Sequence, residues 1–196
     1  MIYIVDTGAS NRVAVERWLN FNDISTCELS DNIKPNDIAL IPGVGSWDEV
    51  IKNLITNGQW DILLKHKNSG GKFIGICLGF QLLMGESSEG VLPGLGLFNY
   101  ELIKFSENHV KVPHVGFNEI VNNTTKELNE CYFTHSYFLP VNKIDDLNTS
   151  FGITNYGCDF ISMIETKNCL ASQFHPEKSS FGGDFFIEKI KKLMKC

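Results

Sequence analysis

The sequence has no apolar run approaching the roughly 18–20 residues that a membrane-spanning helix needs, so no membrane-embedded segment is expected. Met1 leads straight into Ile2-Tyr3-Ile4-Val5 with no charged region or cleavage site, so no secretory leader is expected either. Basic clusters are missing. Seventeen Lys and Arg stand against 23 Asp and Glu, a net charge of -6, which argues against a nucleic-acid surface. The lysines between positions 189 and 195 are read as the solvated face of an amphipathic C-terminal helix. No C-x-x-C, H-E-x-x-H or H-x-x-E-H occurs, so no metal site is expected, and nothing calls for a cofactor. Cysteines 27, 77, 131, 158, 169 and 196 are too widely spaced for a disulfide framework. They read as free thiols in a reducing cytoplasm. Repeats, low-complexity segments and Pro- or Gly-rich linkers are also missing, so residues 1–196 are expected to form one domain.

What is present is an ordinary globular composition, 43% hydrophobic and 20% charged, with a strand–helix alternation in the first half. Residues 2–5 predict a strand, followed by a helix to about 21 that buries Val13, Val15, Trp18 and Leu19. Cys27-Glu28-Leu29 is a weak strand and residues 37–41 a strong one. Residues 47–66 predict a helix with Val50, Ile51, Leu54, Ile55, Ile62 and Leu63 inward, interrupted at Gly58. From Leu95 the pattern changes to short strands near 100–105, 110–112, 117–121, 131–138, 151–155, 160–165 and 169–174. A final helix over 183–195 turns Phe186, Ile190 and Leu193 inward. The expected fold is α/β, a mixed, mostly parallel central sheet flanked by helices, with an antiparallel-rich second half.

Between the two halves stands Gly75-Ile76-Cys77-Leu78-Gly79, a buried strand that meets a leucine-rich helix at a cysteine bracketed by glycines. G-x-C-x-G is the thiol counterpart of the nucleophile elbow, where glycines relieve crowding around a strained residue. A buried structural cysteine at a strand end is the alternative. A thiol nucleophile needs a base and a group that orients the base. Gln173-Phe174-His175-Pro176-Glu177 can supply both, because residues i and i+2 of an extended segment share a face; a surface histidine near an acidic residue is the alternative. Pro42-Gly43-Val44-Gly45 leaves another strand and can turn backbone N–H groups toward a developing oxyanion, or simply be a turn. His135 is read as either a satisfied strand residue or a ligand contact. His114 is placed in a loop, and His66 and His109 are read as solvent-facing.

Those three segments together resemble the class I (triad) glutamine amidotransferases, over essentially the whole chain. The resemblance implies Cys77 as the nucleophile that forms a glutamyl thioester, His175 as base and acid, and Glu177 as its orienter. It implies an oxyanion hole from Gly43, Val44, Gly45 and Leu78, and L-glutamine held by Gln81, Glu89, His135, Ser136 and Tyr137. Pro113-His114-Val115-Gly116-Phe117-Asn118 and His175-Pro176-Glu177-Lys178-Ser179 narrow the likeness. They are similar to the free-standing members that pass ammonia to a (β/α)8-barrel cyclase subunit in histidine biosynthesis. An alternative within the family supplies ammonia for bacterial surface sugars. Asn11, Phe117, Asn118 and Lys178 are the implied docking residues of such a heterodimer. Phe117 stands where tryptophan is usual in the family, and Asp6-Thr7-Gly8 where many members carry D-Y-G.

Overall fold

The computed structural model describes residues 1–8, 11–141 and 149–195. Residues 9–10 of the first loop, residues 142–148 and Cys196 lie outside the described residues. In chain order the first half contains β1 (Ile2–Ile4), α1 (Arg12–Phe21), β2 (Thr26–Glu28), β3 (Ile38–Ile41), α2 (Trp47–Thr56) and α3 (Gln59–Asn68). Then come β4 (Lys72–Ile76), α4 (Leu78–Leu82), β5 (Met84–Ser87), β6 (Phe98–Lys104), β7 (His114–Asn122) and β8 (Leu128–His135). The chain ends with β9 (Tyr137–Pro140), β10 (Ser150–Asn155), β11 (Asp159–Glu165), β12 (Cys169–Ser172) and α5 (Ser180–Lys195).

The main sheet runs β2-β1-β3-β4-β12-β11-β10-β7-β8. It is parallel from β2 through β12 and antiparallel beyond. Strands β5, β6 and β9 extend it through β11. The central parallel strands β3, β4 and β12 are buried on both sides, so their side chains alternate between two cores. Ile38, Leu40, Ile74 and Ile76 pack with Val15 and Leu19 of α1 and with Phe186 and Ile190 of α5. Ala39, Ile41 and Phe73 pack instead with Trp47, Val50 and Leu54 of α2 and Leu63 of α3. Gly58, at φ 77, divides α2 from α3, a conformation costly for a residue with a Cβ.

Several local expectations shift. The leucine-rich run after Cys77 is helical only to Leu82, and Met84–Ser87 then pairs with β6 as a parallel strand. A short apolar run carries no period long enough to mark that change. Residues 110–112 stay outside the sheet, because Pro113 has no N–H to give a ladder and β7 starts only at His114. His114 therefore lies in a strand, and it is buried. His66 is buried too. Its Nε2 pairs with the Lys72 carbonyl at 3.0 Å and its ring meets Phe73 edge-on, a close packing that the bare Cα of Gly71 permits. Val13 and Ile55, expected inward, are exposed.

Candidate active site

Three glycines shape the bend at Cys77. A Cβ on Gly79 would overlap the Ile41 carbonyl, and one on Gly75 would lie 2.7 Å from the Gly79 oxygen. A Cβ on Gly43 would come within 2.8 Å of Leu78 Cα, so β3, β4 and α4 meet backbone to backbone. Cys77 turns the chain at φ 52 and ψ -105, a strained conformation for a residue with a side chain. Its N–H donates to the Ser172 carbonyl at 2.7 Å, which carries the β4–β12 pairing up to the bend. The buried sulfur lies 3.8 Å from the Thr134 carbonyl and 3.8 Å from Gln173 Nε2.

Parallel pairing explains how His175 reaches this place. Ser172 is in register with Ile76, so both strands release their chains at the same edge of the sheet. The His175 N–H donates to the Tyr132 carbonyl at 2.9 Å, and Ser179 Oγ donates to the His175 carbonyl at 2.6 Å. His175 Nδ1 donates to Glu177 Oε1 at 2.8 Å, which also accepts from Asn11 Nδ2 at 2.8 Å. His175 Nε2 is buried without a hydrogen-bond partner among the described residues. Burial disfavours a charged imidazole, but the Cys77 sulfur and the Glu177 carboxylate outweigh it and raise His175 to about 10. Burial works against the Glu177 carboxylate as well, yet its hydrogen bond from His175 holds it below the ordinary value. The three side chains thus form one coupled unit.

A cavity of about 320 Å³ opens beside the sulfur, at the small end of ligand-binding sizes. Val44, Gly45, Leu78, Gln81, Glu89, His135, Ser136, Tyr137 and His175 line it with Cys77. Gly43 does not line it and packs under the loop against Leu78 and Gly79, where the close backbone approach places it. A second cavity of about 410 Å³, bordered by Asn122, Glu165 and Lys189, shares none of these residues. Glu89 is set by a clamped loop: Trp47 Nε1 donates to the Leu92 carbonyl at 2.7 Å, and Asp48 Oδ1 accepts from the Val91 and Leu92 N–H groups. Burial raises its carboxyl above the ordinary value. Gln81 is buried, and its Nε2 donates to the Tyr137 carbonyl at 3.2 Å and to Gln173 Oε1 at 3.0 Å.

The His135 ring borders the cavity and is also satisfied by protein. Nδ1 pairs with the Tyr137 carbonyl at 2.8 Å and Nε2 with His114 Nδ1 at 3.1 Å. Both nitrogens are engaged by protein, with Nδ1 of each ring carrying the proton and His114 Nε2 facing Asn118 Nδ2 at 3.3 Å. Burial lowers His114 to about 4 and His135 to about 3, so the pair stays neutral.

The four expected docking residues divide. Phe117 is 56% exposed, and Lys178 is exposed with its Nζ 5.7 Å from the Tyr132 ring centroid. Phe117 also contacts Tyr132 edge-on, so these side chains make one surface patch. Asn11 is buried, and its amide turns inward to Glu177 rather than outward, because the carboxylate there is the stronger acceptor. The Asn118 amide likewise turns back to the Asn155 carbonyl at 2.9 Å.

The sequence profile of the family described as glutamine amidotransferase class-I matches residues 3–189. The chain belongs to the class-I glutamine amidotransferase family. Among its relatives is the imidazole glycerol phosphate synthase subunit HisH of Caldanaerobacter subterraneus subsp. tengcongensis, 33% identical with all of both chains covered. The protein of that name from Prochlorococcus marinus is 36% identical, with 96% of each chain covered. A solved glutamine amidotransferase structure shares the fold at a TM-score of 0.72 and 15% identity, covering 100% of this chain and 99% of that one. The class-I amidotransferase fold explains the mixed sheet, and the protein is a glutamine amidotransferase. No helix among the described residues is long and apolar enough to cross a membrane.

Sequence reasoning had not singled out Gln173 or paired His114 with His135. The alternation that places His175 and Glu177 on one face also places Gln173 there, so a signal existed. For His114 there was none, because its partner comes from β8 through the register His114↔His135.

Proposed function

We propose that the chain is the glutaminase subunit of an imidazole glycerol phosphate synthase. It hydrolyses L-glutamine to glutamate and ammonia and hands the ammonia to a (β/α)8-barrel cyclase subunit in the cytoplasm, within histidine biosynthesis. The observation that supports the reading best is the constellation at the bend. A sulfur on a strained turn shares its cavity with an imidazole tied to Glu177 on one nitrogen and, among the described residues, unpartnered on the other.

In this mechanism His175 Nε2 holds the proton given up by Cys77, and the thiolate attacks the side-chain amide carbon of glutamine. Negative charge grows on the amide oxygen beside the backbone N–H groups of Val44, Gly45 and Leu78. His175 returns the proton to the departing nitrogen, so ammonia leaves and a glutamyl thioester remains. Water, deprotonated by the same imidazole, then releases glutamate. Glu177 stabilises the imidazolium in both halves, and Asn11 holds the carboxylate in place. Half-buried Glu89 is suited to the substrate ammonium.

The surface patch of Phe117, Tyr132 and Lys178 supports a partner on this side. Tyr132 carries the carbonyl that anchors the His175 N–H, and its own N–H is held by Ser179 Oγ at 2.9 Å. A subunit seated on the patch lies one residue from the catalytic backbone, where ammonia can pass without protonation in bulk water.

The test measures glutamine hydrolysis with and without the barrel subunit and its acceptor. Weak turnover alone, strong turnover in the complex and none in Cys77→Ala are expected. The same variant should still support acceptor amination when free ammonia is supplied. Equal turnover with and without the partner would refute the coupling. Rescue of a histidine auxotroph separates this reading from the surface-sugar alternative.

A further inference from the structure

Gln173 is fully buried, outside the cavity lining, with one end of its amide 3.8 Å from the sulfur. Hydrogen bonding fixes which end of each amide is nitrogen. The Tyr137 carbonyl can only accept, so the Gln81 atom 3.2 Å from it is the NH2. That same NH2 approaches Gln173 at 3.0 Å, so the Gln173 atom it meets is the oxygen. The remaining end of Gln173, its NH2, therefore faces Cys77 Sγ at 3.8 Å. The amides run in one direction and finish with a donor on the sulfur.

On its other side the sulfur meets the Thr134 carbonyl at 3.8 Å, which is suited to a thiol hydrogen and repels an anion. Once the proton has gone to His175, Gln173 is the side-chain amide donor left beside the sulfur. We infer that Gln173 is a positioning residue that holds Cys77 Sγ in place as a thiolate, and that Gln81 acts through it by fixing its orientation. Family resemblance assigns Gln81 to substrate binding, whereas here both protons of its amide nitrogen are engaged by protein. The inference rests on Cys77 being the nucleophile.

The experiment uses the full chain and reads two quantities. One is the rate of iodoacetamide alkylation of the Cys77 peptide as pH is varied. The other is kcat and KM for glutamine hydrolysis in the complex. Gln173→Leu should slow alkylation at neutral pH and lower kcat, each by about tenfold, the size of one hydrogen bond to a charged group. KM should change little, and the alkylation deficit should shrink in alkaline buffer. Gln173→Glu keeps the shape but cannot donate when ionised, and should fall at least as far. Gln81→Leu should show a smaller loss of the same kind, and the double variant should be no worse than Gln173→Leu. If Gln173→Leu does not fold, as judged by circular dichroism, the Gln173→Glu and Gln81→Leu variants carry the test. Folded Gln173 variants with wild-type alkylation profiles would overturn the inference. So would Gln81→Leu with a raised KM and unchanged alkylation. Glutamine turnover by Cys77→Ala would instead remove the nucleophile itself; an inactive Cys77→Ala with unmoved Gln173 variants would remove the inference alone.

Discussion

Replacing Glu177 with glutamine keeps the outline of the side chain and removes its charge. Oε1 receives two bonds of 2.8 Å, from His175 Nδ1 and Asn11 Nδ2, whereas Oε2 is buried with no partner among the described residues. The amide oxygen must therefore take the Oε1 place, which leaves the NH2 where no described residue bonds to it. Turning a charge-assisted bond into a neutral one loses about 1–2 kcal/mol, or about five- to thirtyfold in kcat. The stranded NH2 costs about 1–3 kcal/mol of stability. Stability should also change its response to pH. His175 lies at about 10 when folded against 6.5 for a free histidine side chain, so its contribution is complete below pH 6.5 and lost as pH rises through about 10. Glu177 is lowered from 4.5, so its contribution is present above that value and lost as pH falls through the folded one. Glu177→Gln should pull the alkaline fall to lower pH and remove the carboxylate's share of the acid fall. Steady-state glutaminase assays in the complex, with urea unfolding between about pH 3 and 11, measure both effects. An unchanged kcat together with an unchanged alkaline limb would refute the argument that Glu177 holds a charged imidazole.

Gly79→Ala would drive a Cβ into the Ile41 carbonyl, and should cost at least about 1–3 kcal/mol with loss of glutaminase activity. Wild-type melting temperature in that variant would contradict the close backbone packing. His114 and His135 lie at about 4 and 3 when folded, against 6.5 for the free side chain. Between these values the unfolded chain binds protons that the folded one refuses, so stability should fall as pH drops below 6.5. His114→Gln should flatten that fall down to about pH 4 in urea titrations, and an unaltered slope would count against the neutral pair.

Much of this architecture is legible along the chain because its signals are local. Apolar runs at 38–41 and 73–76 have no polar face, and the strands they form are buried on both sides. Gly75 and Gly79 flank Cys77 in the sequence, and both prove to be points where backbones touch. The strand at Met84–Ser87 was hidden in a leucine-rich run, since its partner β6 begins only at Phe98. His66 looked solvent-facing in a basic helix end, but the turn at Gly70-Gly71 folds the next strand over its ring. Asn11 and Asn118 read as surface amides because the acceptors they meet are not near them in sequence. Their acceptors, Glu177 and Asn155, come from distant segments.

The linear code by itself determined the bend, the glycines around it and the His-Pro-Glu spacing, because each depends on the stereochemistry of neighbouring residues. Only the tertiary structure decided what meets at the sulfur. Parallel pairing of β4 with β12 aligns Ile76 with Ser172 and brings the imidazole alongside, while β8 and β9 supply Thr134 and Tyr137. The direction of the Gln81–Gln173 amides follows from that meeting, since hydrogen-bond polarity is imposed by the acceptor in space and not by the next residue in the chain.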